Sequence, residues 1–310
     1  MSLSKEQIEK IAGFAAGSAF ASEGAVVIDL DGTALSEENG RVFVSESVER
    51  GVAELIDLKR PLVFNSLRYP KAALRVAPAW LEITKTKIPA VLLNGSQIGY
   101  LDWNGSQAGF IETSAHPISP GHLLEIIEGI RELRSGDRIR EDFAFMFYPR
   151  DWSKGELVWV PEAHKIHALR EKYSAASDVF TSSLSELEAM LTAEEICMAF
   201  LTINATKDEL KMYQHSEPSR FFTETGFDKA SGLAESAEML GFLSAESVGA
   251  GDTEMDGFLS SVGLAVKVKS RRARTERIPF TGLRETVDVS DPIELGELFT
   301  ALAGLCRNRT

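Results

Sequence analysis

Cysteine is scarce in this sequence. Cys197 and Cys306 are the only two cysteines among 310 residues, and neither belongs to a Cys-x-x-Cys pair. Two distant cysteines exclude the disulfide framework of a small secreted domain and give no support to a structural zinc site. We therefore expect a chain that works in a reducing, cytoplasmic compartment.

Basic residues are fewer than acidic ones, and long apolar runs are absent. The sequence has 33 Lys and Arg against 46 Asp and Glu, which gives a net charge of −13. Such a field repels phosphate backbones and anionic lipid, so we expect no nucleic-acid or membrane partner. No stretch approaches the length of a membrane span, and the N-terminus has no signal-peptide pattern. Nothing in the composition decides between a monomer and a homodimer.

The strongest local signal is the segment Val26-Val27-Ile28-Asp29-Leu30-Asp31-Gly32-Thr33. An apolar, β-branched run predicts a buried strand, and it ends at two carboxylates one residue apart. Because side chains alternate along an extended chain, Asp29 and Asp31 point in the same general direction. Adjacent carboxylates repel each other unless a cation lies between them or one of them stays protonated, so the pair suggests chemistry. An acidic turn after a strand is the simpler alternative.

The order of apolar runs predicts an α/β fold with an insert. Strands alternate with helices in 1–95 and again in 217–310, which is typical of a parallel sheet with ligands at its carboxyl edge. From 96 to 216 the rhythm changes, beginning with an Asn104-Gly105 hairpin signal, and predicts an inserted α+β domain. A helix is predicted over Lys207–Tyr213 and another after Met255.

Four chemical elements stand at strand ends or helix starts: the Asp29 and Asp31 pair, Ser66, Lys229, and Asp252 with Asp256. In this order and spacing they resemble the haloacid dehalogenase-like (HAD) phosphohydrolase superfamily. The insert, with the Asn94-Gly95 turn before it, resembles that of the Cof-like branch. The resemblance implies a Rossmann-like parallel-sheet core and an α+β cap of type C2, which selects the substrate.

The resemblance also implies roles. Asp29 corresponds to a nucleophile that forms an aspartyl-phosphate, and Asp31 to the general acid and base. Ser66 and Lys229 correspond to groups that act on the transferring phosphoryl group. The implied cofactor is Mg²⁺, held by Asp29, Asp31, Asp252 and Asp256. The implied substrate-binding residues are Ser66, Lys229, Asn94 and Gly95. Arg68 follows Ser66 on the same loop, where it either contacts the substrate or forms a surface salt bridge.

These roles predict a magnesium-dependent phosphatase whose partner is a small phosphorylated metabolite, with a sugar phosphate as the expected class. A phosphomannomutase-like phosphotransferase and a non-catalytic binding protein of the same fold are the alternatives. The second alternative arises because Met255 stands where the family usually has Asn. A thioether cannot orient a metal-bound water as an amide does, so we expect weaker metal binding or a slower reaction.

Three further features have a structural and a functional interpretation. His164 and His167 have a metal-ligand spacing, but two solvated histidines fit as well. Four residues of the insert either stack on a sugar or pack within the insert itself: Tyr148, Arg150, Trp152 and Trp159. The basic run from Lys267 to Arg274 is either a solvated loop or a region that attracts an anionic substrate.

Overall fold

The chain forms two compact units in a computed structural model that describes residues 3–38, 41–103, 105, 107–135, 143–203, 210, 212–214, 217–269 and 283–308. The first unit comprises Met1–Leu67, Leu74–Thr113 and Asp228–Thr310. The second comprises Arg68–Ala73 and Ser114–Phe227. None of the described helices combines the length and the apolar character needed to cross a membrane.

The described strands are β1 (Val26–Ile28), β2 (Leu35–Glu38), β3 (Arg41–Val44), β4 (Leu62–Asn65), β5 (Ile88–Leu92), β6 (Gln97–Trp103), β7 (Ala108–Ala115), β8 (Ala144–Pro149), β9 (Leu157–Trp159), β10 (Asp178–Phe180), β11 (Ile196–Thr202), β12 (Tyr213–Gln214), β13 (Glu217–Pro218), β14 (Phe221–Phe222), β15 (Val248–Gly251), β16 (Leu264–Val268) and β17 (Glu285–Val289). The described helices are α1 (Lys5–Gly17), α2 (Phe20–Glu23), α3 (Glu46–Asp57), α4 (Pro70–Ala73), α5 (Ala77–Thr84), α6 (Pro120–Ser135), α7 (Ile166–Lys172), α8 (Leu184–Ala193), α9 (Lys229–Leu240) and α10 (Pro292–Arg307).

An eight-stranded sheet forms the centre of the first unit, in the order β17-β16-β15-β1-β4-β5-β6-β7. Strand β1 lies inside it and pairs in parallel with β15 and β4. All three residues of β1 are buried, as expected for an apolar run covered on both faces. Because the carboxyl ends of parallel strands meet at one edge, the residues after β1, β4 and β15 lie near one another.

Helices cover this sheet because their apolar faces match it. On one face, Leu233 of α9 packs in a cluster with Val27, Val63 and Val91 from three neighbouring strands. Elsewhere α3 and α10 approach closely, and a Cβ added at Gly51 of α3 would lie 2.4 Å from a backbone oxygen of α10. These contacts fix the strand ends, and therefore the side chains that follow them.

A five-stranded sheet of order β10-β9-β8-β11-β14 forms the second unit. Strands β9 and β10 are parallel, whereas β8 is antiparallel to both β9 and β11. Three alternate residues belong to the core of this unit: Phe143, just before β8, and Phe145 and Phe147 within it. They pack there with buried side chains of α6 and α8. The predicted α/β fold with an inserted α+β domain is therefore confirmed.

The start of the predicted insert differs from the division that the structure shows. Strand β6 pairs antiparallel with β5 along its length and so extends the eight-stranded sheet. The first unit therefore continues to Thr113, and the long segment of the second unit runs from Ser114 to Phe227. The Asn104-Gly105 signal predicts a hairpin but cannot tell which sheet the hairpin joins.

Two local predictions also differ from the structure. Tyr213 lies in strand β12 rather than at the end of a helix, and 207–209 and 211 of that predicted helix lie outside the described residues. After Met255 the chain forms a short 3-10 turn, Gly257–Ser260. Short segments such as these are decided by tertiary contacts more than by local periodicity.

Candidate active site

Asp29 lies at the carboxyl end of β1, where the apolar run stops. Its backbone N–H donates to the carbonyl of Ala250 at 2.9 Å, so the neighbouring strand β15 fixes the residue. The residue is only 4% exposed. The fold therefore holds a carboxylate in a place where water cannot fully solvate it, which requires a partner.

That partner is Lys229, the first residue of α9. Asp228 caps the helix by accepting hydrogen bonds from the backbone N–H groups of Ala230 and Ser231. From this position Nζ of Lys229 donates to Oδ1 of Asp29 at 2.6 Å and to Oδ1 of Asp256 at 2.6 Å. Both hydrogen bonds are buried, and such charge-assisted bonds are stronger than neutral ones. One ammonium group thus joins acids from two distant segments.

Asp256 also shapes the acidic loop after β15. Its Oδ2 accepts the backbone N–H groups of Asp252 at 2.8 Å and of Thr253 at 2.9 Å. The residue has no exposed surface. Asp256 therefore fixes Lys229 with one oxygen and the loop that carries Asp252 with the other.

Thr33 connects the two acidic segments and was missed by the sequence analysis. Its Oγ1 donates to Oδ1 of Asp252 at 3.3 Å, across 219 residues of sequence. The Asp-Gly-Thr ending of the first segment was a visible signal for a hydroxyl at this place, although its partner was not. We infer that Thr33 orients the Asp252 carboxylate.

The electrostatics of this cluster are dominated by burial. Burial raises the pKa of Asp29 to about 7; Lys229 opposes this rise, whereas the nearby Asp256 and Asp252 carboxylates add to it. Burial alone would lower the pKa of Lys229, but the Asp29 and Asp256 carboxylates raise it above its usual range. Lys229 therefore stays an ammonium ion, and Asp29 keeps its proton to about neutral pH when no other cation is present.

The cluster has the ligands of a cation site. Oxygen atoms of Asp29, Asp252 and Asp256 all lie within 4.8 Å of one another. A set of carboxylate oxygens suits a hard divalent cation such as Mg²⁺. The cluster contains three carboxylates and the ammonium group of Lys229, so added positive charge would lower its electrostatic cost. The residues present therefore fit the predicted metal.

The other predicted residues of the first unit lie near strand ends. Ser66 follows β4, is 1% exposed, and donates its backbone N–H to Val91 at 2.9 Å. Asn94 is buried with a left-handed backbone, at a φ of 58°. Gly95, at a φ of 95°, touches the start of α9: a Cβ there would lie 2.1 Å from the Asp228 carbonyl oxygen. Asp31 is partly exposed and forms a backbone bridge with Leu35.

Several predicted candidates have other partners. Arg68 belongs to the second unit, where it donates to the carbonyl of Ala72 at 3.1 Å. Trp159 is a fully buried core residue, and Arg150 pairs with Glu195 at 2.9 Å. These contacts favour packing over sugar recognition for Trp159 and Arg150.

The remaining candidates are two aromatic residues, two histidines and the basic run. Tyr148 is buried and donates to Glu156 at 2.6 Å, whereas Trp152 is partly exposed. His164 and His167 are exposed, which favours solvated histidines. In the basic run, Lys267 pairs with Asp288 at 3.2 Å, and 270–274 lie outside the described residues.

Comparison with known proteins yields one family and a set of similar folds. The haloacid dehalogenase-like hydrolase family matches residues 26–276. A crystal structure from Thermotoga maritima has a TM-score of 0.59 at 17% identity, covering 90% of this chain and 96% of the other. A phosphatase of the HAD superfamily from Bacteroides thetaiotaomicron has a TM-score of 0.62 at 17% identity, with 92% and 96% covered.

A third similar structure is described as a HAD subclass IIB sugar phosphatase. Its TM-score is 0.59 at 16% identity, and the alignment covers 90% of this chain and 97% of that one. No curated protein matches the sequence. At these identities the solved structures establish a shared fold, with nearly the whole of each chain aligned.

Proposed function

Because the chain belongs to the haloacid dehalogenase-like hydrolase family, we propose that it is a magnesium-dependent phosphatase acting on a small phosphorylated metabolite. The single observation that carries this proposal is the buried cluster of Asp29, Lys229 and Asp256, with Asp252 beside it. The substrate class that we propose is a sugar phosphate. It is supported by the similar fold of a protein described as a subclass IIB sugar phosphatase.

The charge of the cluster explains why these residues suit phosphoryl transfer. A carboxylate nucleophile and a phosphate monoester are both anionic and repel each other unless cations are placed between them. Lys229 supplies one such cation and is held at 2.6 Å from Asp29. The remaining carboxylates can hold a second cation at the same edge of the sheet.

Asp29 and Asp252 are the residues that we propose as magnesium ligands, with the backbone carbonyl of Asp31. When bound, Mg²⁺ supplies charge neutralisation for the phosphoryl oxygens and favours the ionised form of Asp29. Asp256 already accepts hydrogen bonds from Lys229 and from two backbone N–H groups. Its predicted role as a direct ligand stays a prediction, because those bonds suffice to explain its burial.

The chain's own groups divide the reaction into two steps. Asp29 attacks phosphorus, a bond forms between its carboxylate oxygen and phosphorus, and the bond to the leaving oxygen breaks as Asp31 donates a proton to that oxygen. Asp31 then takes a proton from the water that hydrolyses the aspartyl-phosphate and restores Asp29. Ser66 contacts the phosphoryl group, and Lys229 offsets its charge.

The proposed partner is thus a phosphorylated small molecule. Asn94 and Gly95 stay predicted substrate-binding residues, and so does Arg68. The cytoplasmic location, the absence of nucleic-acid and membrane partners, and the choice between monomer and homodimer also stay predictions.

Phosphate release from a panel of sugar phosphates and other phosphorylated metabolites tests the proposal. Wild-type protein is compared with Asp29→Asn, each with Mg²⁺ and with a chelator. A matched control is Asp57→Asn, which changes an exposed acid at the end of α3. We expect release that needs both Mg²⁺ and Asp29 and that the control retains.

The other outcomes separate the alternatives. A product that keeps the phosphate on another hydroxyl would identify a phosphotransferase. No turnover of any compound, together with binding of one of them, would overturn the proposal in favour of a non-catalytic protein. Met255→Asn would then be the first substitution to examine.

A further inference from the structure

Asn65 is a buried polar residue to which the sequence analysis assigned no role. It is the last residue of β4, directly before Ser66, and it has no exposed surface. The register pairs Ile28 of β1 with Phe64 of β4. Asp29, which follows β1, and Asn65, the last residue of β4, therefore lie at the same level of the sheet. Asn65 is therefore placed at the edge where the acidic cluster forms.

The side chain of Asn65 binds the backbone of the residue that carries the catalytic charge. Its Nδ2 donates to the carbonyl of Lys229 at 2.8 Å, in a buried hydrogen bond between residues 164 positions apart. A carbonyl oxygen only accepts, so the amide nitrogen must face it. The contact joins the strand that ends at Ser66 to the first turn of α9.

The oxygen of the same amide lies in an energetically unfavourable environment. Oδ1 of Asn65 is buried and has no hydrogen-bond partner among the described residues. A buried acceptor without a partner is unfavourable, and an apolar side chain of similar size would avoid the cost. The amide at this position is thus explained by the bond that its nitrogen makes, rather than by packing.

Lys229 needs such a support because a lysine side chain is long and flexible. The start of α9 is held at three points: the cap formed by Asp228, the close approach of Gly95 to the Asp228 carbonyl, and the amide of Asn65. Of these, only Asn65 contacts Lys229 itself through a side chain. Small shifts of a catalytic group reduce rates strongly, so a fixed backbone has a functional value.

We propose that Asn65 is a positioning residue that fixes the backbone of Lys229 and thereby places its ammonium group between Asp29 and Asp256. The proposal deepens the phosphatase function and rests on it for its kinetic consequence. Its structural consequence, a fixed Lys229 ammonium group, does not depend on any substrate.

The first test is kinetic. Asn65→Leu keeps the branched shape of the side chain and removes the donor. We expect kcat to fall about 10- to 100-fold and KM to change by less than kcat, because Lys229 is displaced but every substrate-binding side chain is still present. The matched control is Ser236→Ala on α9, which removes a buried hydroxyl that has no partner among the described residues. The control should keep the wild-type kcat.

The second test observes Lys229 directly, without substrate or metal. Lysine ammonium groups are recorded by ¹H–¹⁵N correlation, and the Lys229 signal is assigned by its loss in Lys229→Met. We expect the buried ammonium group to exchange slowly in the wild type and in Ser236→Ala, and to shift or exchange faster in Asn65→Leu. Circular dichroism and the melting temperature establish that each variant is folded.

A second variant keeps the test decisive. If Asn65→Leu does not fold, Asn65→Ala removes the same donor without adding an apolar group at the site. A folded variant of either kind with the wild-type Lys229 signal would overturn the proposal. A wild type without phosphatase activity would remove the function but leave the spectroscopic test intact, so the two failures are distinguishable.

Discussion

Replacing Asp29 by Asn should make the protein without metal more stable at alkaline pH. The structure buries this carboxylate, with 4% of the residue exposed, and places it near two other acids. Asn has nearly the same shape and can still accept the hydrogen bond from Lys229 through its side-chain oxygen. The variant thus removes the buried charge and retains the packing.

The magnitude follows from the pKa of Asp29, which burial, opposed by Lys229 but reinforced by Asp256 and Asp252, raises from 3.8 to about 7. Between these values the folded chain keeps a proton that the unfolded chain has released. The free energy of unfolding therefore falls as the pH rises through this window. Since one pKa unit corresponds to about 1.4 kcal/mol, the total change is about 4 kcal/mol, of which about 3 kcal/mol lies between pH 5 and pH 8.

Urea unfolding followed by circular dichroism, in the presence of a chelator, measures this effect. We expect the stability difference between Asp29→Asn and the wild type to grow in favour of the variant by about 3 kcal/mol from pH 5 to pH 8. Saturating Mg²⁺ should reduce the difference at pH 8, because a cation that binds the ionised carboxylate stabilises the folded wild type.

The control is Asp57→Asn, which removes an exposed carboxylate and leaves Asp29 in place. Its free energy of unfolding should keep the fall between pH 5 and pH 8 that Asp29 produces in the wild type. If the curves of Asp29→Asn and the wild type run parallel from pH 5 to pH 8, the buried-charge account of Asp29 is wrong.

Three further substitutions test the surroundings of this acid. Lys229→Met leaves two buried carboxylates without their shared partner, and we expect a loss of about 3–5 kcal/mol in urea unfolding at neutral pH together with loss of phosphate release. Thr33→Val removes the hydroxyl that donates to Asp252, and titration calorimetry should show Mg²⁺ affinity reduced about 10-fold or more. Gly95→Ala places a Cβ 2.1 Å from the Asp228 carbonyl oxygen at a φ of 95°, and we expect a destabilisation of about 1–3 kcal/mol by urea unfolding; an unchanged urea midpoint would contradict the close packing described for Gly95.

Much of the fold was predictable because its signals are local. The apolar run of β1 is buried on both faces, as its composition indicates. The family match confirms the resemblance that the order of motifs had suggested. The structure also brings Asp29, Lys229 and Asp252 into one cluster, as the resemblance had implied.

What could not be predicted depends on contacts between distant segments. The β6–β7 hairpin joins the first sheet, and no residue within the hairpin determines that choice. Thr33 is an ordinary turn residue in the sequence and acquires its role only through Asp252. Asn65 reads as the polar end of a strand until Lys229 is placed beside it. Periodicity describes the environment of a residue and says nothing of such partners.

The loop after β15 shows why the chain accommodates Met255. A Cβ at Gly251 would lie 2.7 Å from the side-chain atoms of Asp256, so glycine at that position allows the carboxylate to fold back over the loop. There it accepts the N–H groups of Asp252 and Thr253. The loop is thus shaped by residues on either side of Met255 through a buried acid that is itself balanced by Lys229. An exchange at position 255 should therefore leave in place the hydrogen bonds that present Asp252.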